Sequence, residues 1–131
     1  MKIVVLIKEV PDTWGDRKLS LETGLAERDA SDRVLDEIGE RALEVGLSYA
    51  DAHEGTEVVV LSMASDASTA TVRKGLAMGA ASAVQVVDGD LLGADMGLTA
   101  EVLATTLQRI GFDLVIAGNL STDGSGGMVP A

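Results

Sequence analysis

Four short runs of this chain are apolar at almost every position: residues 3–7 (IVVLI), 58–61 (VVVL), 83–87 (AVQVV) and 114–117 (LVIA). A strand that keeps one face in water alternates polar and apolar residues, whereas an unbroken apolar run needs cover on both faces. Such cover comes from helices, and the stretches between the runs have helical spacing. Leu35, Ile38, Ala42, Val45 and Tyr49 recur three or four apart within residues 34–52, predicting one helix face. Asp66 or Ser68 caps a second helix ending at Met78. Asp95 caps a third running through Ile110, with Leu98, Val102, Thr106 and Ile110 as its inner stripe. Gly79 and Gly111 stand where helices end. The order is βαβαβαβ, and right-handed crossovers convert it into an α/β, three-layer, doubly wound parallel sheet. With 131 residues, 47% of them hydrophobic, residues 1–131 have material for one core and so for one domain.

In a sheet of this kind ligands gather beyond the C-terminal ends of the strands. Lys8, Glu9, Pro11 and Asp12 follow the first run, Ser62 and Met63 the second, and residues 119–128 the fourth, so these groups line one crevice. KEVPD at 8–12 also has the composition of an ordinary turn. The stretch STDGSGG at 121–127 combines hydroxyl side chains with glycines that allow close backbone approach, a mixture suited to an anion such as a nucleotide phosphate. By spacing alone, a flexible connector is the alternative. It is neither a Walker A loop, lacking Lys before Ser or Thr, nor a GxGxxG turn after the first strand, which argues against a nucleotide triphosphatase and a dehydrogenase. Residues 11–33 interrupt the alternation with a charged segment in which 17–21 and 25–28, joined through Glu22, Thr23 and Gly24, predict a small hairpin excursion. Pro130 suits the first turn of a further helix. The chain is therefore expected to be a fragment of a longer protein, with its sheet incomplete at the C-terminus.

Composition removes several classes of function. There is no cysteine, which excludes disulfides, thiolate metal sites and cysteine nucleophiles. The single histidine, His53, lies in a polar stretch and is expected to be structural or solvated rather than a catalytic base or metal ligand. Net charge is −11 and aromatic residues make up 2%, so the chain repels a phosphate backbone and has no base-stacking platform; no nucleic acid partner is expected. No apolar run nears the ~18 residues of a membrane span, and the N-terminal run becomes charged too early for a secretory signal. The expected setting is cytoplasmic, without membrane insertion.

KEVPD at 8–12, DEIGERALE at 36–44, VRKGLAMGA at 72–80 and DLVIAGNLSTDGSGG at 113–127 together resemble the β subunit of electron transfer flavoprotein. The resemblance spans nearly the whole chain. It implies a Rossmann-like, adenine-nucleotide-binding domain that carries AMP, or a second FAD in bifurcating relatives. It also implies a heterodimer with an α subunit, in which an FAD shared with α carries electrons from dehydrogenases toward a quinone oxidoreductase. An electron carrier subunit of this kind is not a catalyst in its own right, and no residue here is expected to act as a catalytic acid, base or nucleophile.

Carried onto this sequence, the family's nucleotide contacts fall on Leu6, Ile7 and Lys8, on Arg33 and Asp36 at the entry to the first helix, on Met63, and on the 118–128 loop. In that loop the resemblance assigns Gly118, Asn119, Ser121, Asp123, Gly124, Ser125, Gly126, Gly127 and Met128. Backbone groups at Leu6 would read the adenine edge. The N–H groups from Gly124 to Met128, helped by Ser125, would take the phosphate. Two departures stand out: Arg33 and Val34 replace the Asn and Pro of many members, and the loop is shorter than the AspGlyAspThr form.

Two other classes compete. A stand-alone ATP- or AMP-binding module like the universal stress proteins shares this architecture, but TDGSGG fits its glycine loop only loosely. An adenylating enzyme would place SerGlyGly after the first strand, whereas here it follows the fourth. Because the expected sheet is incomplete, the chain by itself should self-associate through apolar edge surface or be marginally stable; a well-behaved monomer on size-exclusion chromatography would count against this.

Overall fold

The computed structural model describes residues 1–131. Its elements are β1 (Lys2–Leu6), β2 (Glu9–Pro11), β3 (Arg33–Leu35), α1 (Glu37–Ala52), β4 (Glu57–Met63), α2 (Thr69–Met78), β5 (Ser82–Val86), α3 (Met96–Ile110) and β6 (Leu114–Ile116). The four apolar runs all become strands of one parallel sheet ordered β5-β4-β1-β6. Ile3 pairs with both Val58 and Leu114, which fixes β1 at the centre. From β1 the chain steps through α1 to β4 and through α2 to β5 in one direction, then returns through α3 to β6 on the far side of β1. Right-handed crossovers in opposite directions put their helices on opposite faces, and the core divides accordingly.

Ile3, Val5 and Ile7 with Val58 and Val60 form one cluster with Ala42 and Leu43 of α1 and Val72 of α2. Val4, Val59 and Leu61 form the other with Leu103 of α3. Odd residues of β1 face one helix layer and even residues the other, the period-two alternation of a strand. The fold is thus the three-layer α/β arrangement predicted from the apolar runs. No helix is long and apolar enough to cross a membrane.

The inner faces of two helices differ from the apolar stripes predicted. In α1 the buried residues are Gly39, Ala42, Leu43 and Gly46, whereas Val45 is 61% exposed and Tyr49 also faces outward. The reason is closeness at Gly46, where a Cβ would sit 3.2 Å from Val5 Cγ2. In α3 it is Leu103 that is buried, with Leu107 and Ile110 packed beside it, while Leu98 is exposed. Helix ends follow the capping chemistry at Asp95, whose Oδ1 accepts the Leu98 N–H at 2.8 Å, and at Gly79 and Gly111, both at positive φ. Ser68 does not cap α2 through its side chain; a 3-10 turn at Asp66–Ser68 leads into that helix instead. His53 closes α1, exposed and stacked on Tyr49.

The segment around β2 and β3 departs further. Residues 34 and 35 are strand rather than helix, and KEVPD is not a turn: Glu9, Val10 and Pro11 pair antiparallel with Leu35, Val34 and Arg33. Val10 and Leu35 are buried, so this two-stranded ribbon extends the core past the end of β1. Between its strands the chain makes the predicted excursion, narrowed to a single antiparallel bridge of Leu19 with Ala26. The packing order in α1 has a measurable consequence. Gly46→Val should destabilise the protein by about 1–3 kcal/mol through overpacking against β1, while Val45→Ala should stay within about 0.5 kcal/mol of the parent, both measured by urea denaturation.

Candidate functional site

The strand order reverses between β1 and β6, one leading away through α1 and the other arriving from α3. At such a reversal no connection crosses the C-terminal ends of the two strands, and a crevice opens there. Past β1, the Ile7 N–H still bonds the Leu61 carbonyl at 2.9 Å, and Lys8 is the first residue free of the sheet. Its ammonium donates to Asp123 Oδ1 at 2.8 Å and to Ser121 Oγ at 3.3 Å, bridging the two strand ends.

Asp36 holds the crevice from below. It is 2% exposed, its N–H donates to the Lys8 carbonyl at 2.9 Å, and both side-chain oxygens are used. Oδ1 accepts the Ile38 N–H as the cap of α1, and Oδ2 accepts the Thr122 N–H at 2.9 Å. One carboxylate therefore caps a helix and pins the glycine-rich loop 86 residues away in sequence. Gly118 allows the loop to pass: a Cβ there would lie 2.4 Å from Ile38 Cγ2.

The remaining assigned residues surround this centre unequally. Leu6 packs its side chain toward the α3 layer and Ile7 toward α1 and α2. Met63 is half-buried at the end of β4. Beside it Ser62 is buried with a hydroxyl that has no hydrogen-bond partner. Arg33 turns away from the loop, its guanidinium 3.4 Å from Glu9 and 3.0 Å from Asp29. Asn119 is exposed. Within the loop, the Gly124 N–H bonds Asp123 Oδ1 at 2.7 Å and the Ser125 N–H bonds the Ser121 carbonyl at 3.0 Å. Both are occupied inside the turn. The N–H groups of Gly126, Gly127 and Met128 donate to nothing in the chain. Ser125 adopts φ 53° and Gly127 φ 64°, left-handed backbone of the kind that occurs in anion-binding nests.

Several participants escaped the reading of strand ends. The excursion folds back over the crevice, so that Arg28 Nη1 comes 3.6 Å from Asp123 Oδ2. Arg17 donates to the Thr122 carbonyl and, at 3.1 Å, to the Pro11 carbonyl. Together with Lys8, Lys18 and Gly124 these residues wall a groove of about 380 Å³. The only signal in the sequence is that residues 17–33 contain four of the ten basic residues, interleaved with acids. Glu9, one of the groups expected to line the crevice, is instead buried and accepts from Ser68 Oγ at 2.7 Å and from Thr71 Oγ1. It ties β2 to the start of α2, where a negative charge is favoured by the helix dipole.

Asp123 is the electrostatic hinge of the site. Burial alone would raise its pKa, but the hydrogen bond and charge of Lys8, the Ser121 hydroxyl and the Gly124 N–H outweigh that, bringing it from 3.8 to about 2.

Fold and crevice define an open, doubly wound α/β domain of the Rossmann-like class, with its polar groups converging on the switch point of the sheet. Within that class the chain belongs to the electron transfer flavoprotein domain family, which it matches over residues 23–131. Its sequence is 50% identical to the electron transfer flavoprotein subunit beta of Mycobacterium tuberculosis (strain ATCC 25618 / H37Rv), over 98% of this chain and 50% of the relative. It is 36% identical to the caffeyl-CoA reductase-Etf complex subunit CarD of Acetobacterium woodii, over 95% of this chain and 47% of the relative. A third relative, the electron transfer flavoprotein subunit beta of Bacillus subtilis (strain 168), is 29% identical over 98% of this chain and 49% of its own length. The chain spans about half the length of the curated relatives it matches. The family match and the relatives agree with the resemblance to the electron transfer flavoprotein β subunit read from the sequence motifs.

Because the folded pKa of Asp123 lies below its unfolded value, its contribution to stability is complete above about pH 5 and disappears as pH falls through about 2. Asp123→Asn is expected to be about 1–2 kcal/mol less stable than the parent near pH 7, allowing for the exposure of Lys8. That gap should close as urea melts are repeated from about pH 5 down to about pH 2.

Proposed function

We propose that this chain works as the β-type chain of an electron transfer flavoprotein. In this reading it holds an adenine nucleotide, AMP or FAD, on the 118–128 loop and pairs with an α subunit. An FAD shared with α then carries electrons from dehydrogenases toward a quinone oxidoreductase. Family membership and the printed names of the relatives support the electron-transfer role.

One observation carries the nucleotide part. Three consecutive N–H groups, of Gly126, Gly127 and Met128, lack partners in the chain and lie just past a Lys8-anchored turn at the switch point of the sheet. Unbonded backbone donors beside a fixed cation suit a phosphate. The unpartnered Ser62 hydroxyl at the neighbouring strand end suits a polar ligand as well, since a buried group of this kind costs free energy until it is bonded. These residues fit a nucleotide.

A flavin, when bound, supplies the redox chemistry. The residues of this chain bind and orient: Asp36 fixes the loop, Lys8 sets the charge at its base, and the free N–H groups take the anion. No acid, base or nucleophile enters the scheme. AMP is expected to raise the Tm of the full-length protein. Gly126→Val, which puts a branched side chain where a Cβ would already be 2.6 Å from Met96 Sδ, should abolish that rise. An unchanged rise would move the nucleotide elsewhere. The absorption spectrum of the purified complex tests the flavin.

A further inference from the structure

Between the paired ends of β2 and β3 the hairpin excursion adds nothing to the core. No residue from 12 to 32 is buried, and none belongs to either hydrophobic cluster. The excursion is fixed at its root, where Val10, Pro11 and Leu35 are buried and the Asp12 N–H donates to the Asp32 carbonyl at 2.8 Å. Its two limbs also bond each other: the Ser20 N–H reaches the Leu25 carbonyl at 2.8 Å and the Glu27 N–H the Lys18 carbonyl at 2.9 Å. It therefore carries a shape of its own, independent of the layers beneath it.

Contacts with the crevice are made from its surface. Arg17 donates to the carbonyl and hydroxyl of Thr122, and Arg28 Nη1 lies 3.6 Å from Asp123 Oδ2. Leu25 rests on the connection between β5 and α3, where a Cβ on Gly93 would lie 3.1 Å from Leu25 Cδ2. Both arginines are exposed. Exposed ion pairs stabilise little, and a segment with few buried apolar contacts opens at a much lower free energy than the core. The groove depends on these weak contacts. Arg17, Lys18, Leu19, Ala26 and Arg28 line it from the excursion, while Lys8, Asp123 and Gly124 line it from the strand ends. Its volume of about 380 Å³ is thus the space between two parts, and it exists only while they stay together.

We propose that residues 12–32 are a strap that opens and closes as a unit over the C-terminal ends of β1 and β6. It is hinged at the β2–β3 ribbon and latched by Arg17 on Thr122 and by Arg28 on Asp123. Closed, as in this structure, it leaves the Asp123 side chain 13% exposed; lifted, it uncovers that carboxylate and opens the way into the crevice, as mobile segments over binding sites do. Thr122 and Asp123 keep their other anchors, Asp36 and Lys8, so the glycine-rich loop stays in place while the strap moves. Gating of this kind is independent of which ligand the crevice takes.

This chain has no cysteine, so pairs of spin labels can be placed cleanly on introduced thiols and their separation measured by pulsed electron resonance. One pair, at Leu21→Cys on the fully exposed tip and Val45→Cys on the outer face of α1, follows the strap. A second pair, at Val45→Cys and Glu101→Cys on the exposed sides of α1 and α3, follows the body. The parent should show one dominant strap distance with a minor, broader population. Arg17→Gln with Arg28→Gln should enlarge the broad population about ten-fold, the order of one charge-assisted hydrogen bond, while the body distance and the urea midpoint stay as in the parent. A strap distance that remains narrow in the double variant overturns the gate, because the segment is then a fixed part of the domain. A body distance that broadens together with the strap, or a urea midpoint that falls with it, overturns it as well, because the segment then does not move on its own.

Discussion

A strand buried on both faces has to have both edges paired and a helix layer on each side, and β1 imposes that requirement on everything around it. Ile3, Val4 and Val5 are fully buried, and β4 and β6 complete the hydrogen bonding of β1 on either edge. Because β6 arrives by a crossover opposite in direction to the first two, the sheet reverses its order next to its most buried strand. The crevice is a by-product of that reversal. Its floor is the end of a rigid central strand, which holds side-chain positions better than a loop could.

On this rigid floor the polar groups are organised by two carboxylates. Asp36 is nearly inaccessible and satisfied at both oxygens, so its charge is stabilised by a helix N-terminus and by the amide of Thr122. Asp123 is held by Lys8 and approached by Arg28. Between them they fasten the glycine-rich loop to α1 and to the end of β1. Glycines 126 and 127 follow with their amides unspent. Buried Asp36 and partly buried Asp123 thus keep a glycine-rich sequence in one shape, and Arg17 and Arg28 reach it from a hairpin that interrupts the βα alternation.

Small residues set the distances. Gly46, with Ala42 in the core beside it, lets α1 lie against β1, and Gly118 lets the loop cross the first turn of the same helix. Close approach at both places brings Asp36 within reach of Thr122. A larger α1 interface would lift the helix, and with it the cap that anchors the loop. Packing and site geometry are therefore coupled through one helix.

Much of this was legible in the residues. Runs apolar at almost every position predicted the four strands, capping residues predicted both ends of α3, and the glycine-rich stretch marked the loop, because each of these depends on neighbours along the chain. Contacts between distant segments were not legible. Apolar spacing cannot rank Leu103 above Leu98 or Gly46 above Val45, since which side of a helix faces the sheet is decided by how closely the two can approach. Nor does KEVPD reveal that it pairs with residues 33–35, or that Arg17 and Arg28 fold back onto Asp123. The chain's local chemistry determined the layers and the position of the crevice. Tertiary structure alone decided which charges meet there, because strand pairing and hairpin return bring together groups that sequence separates by as many as 115 residues.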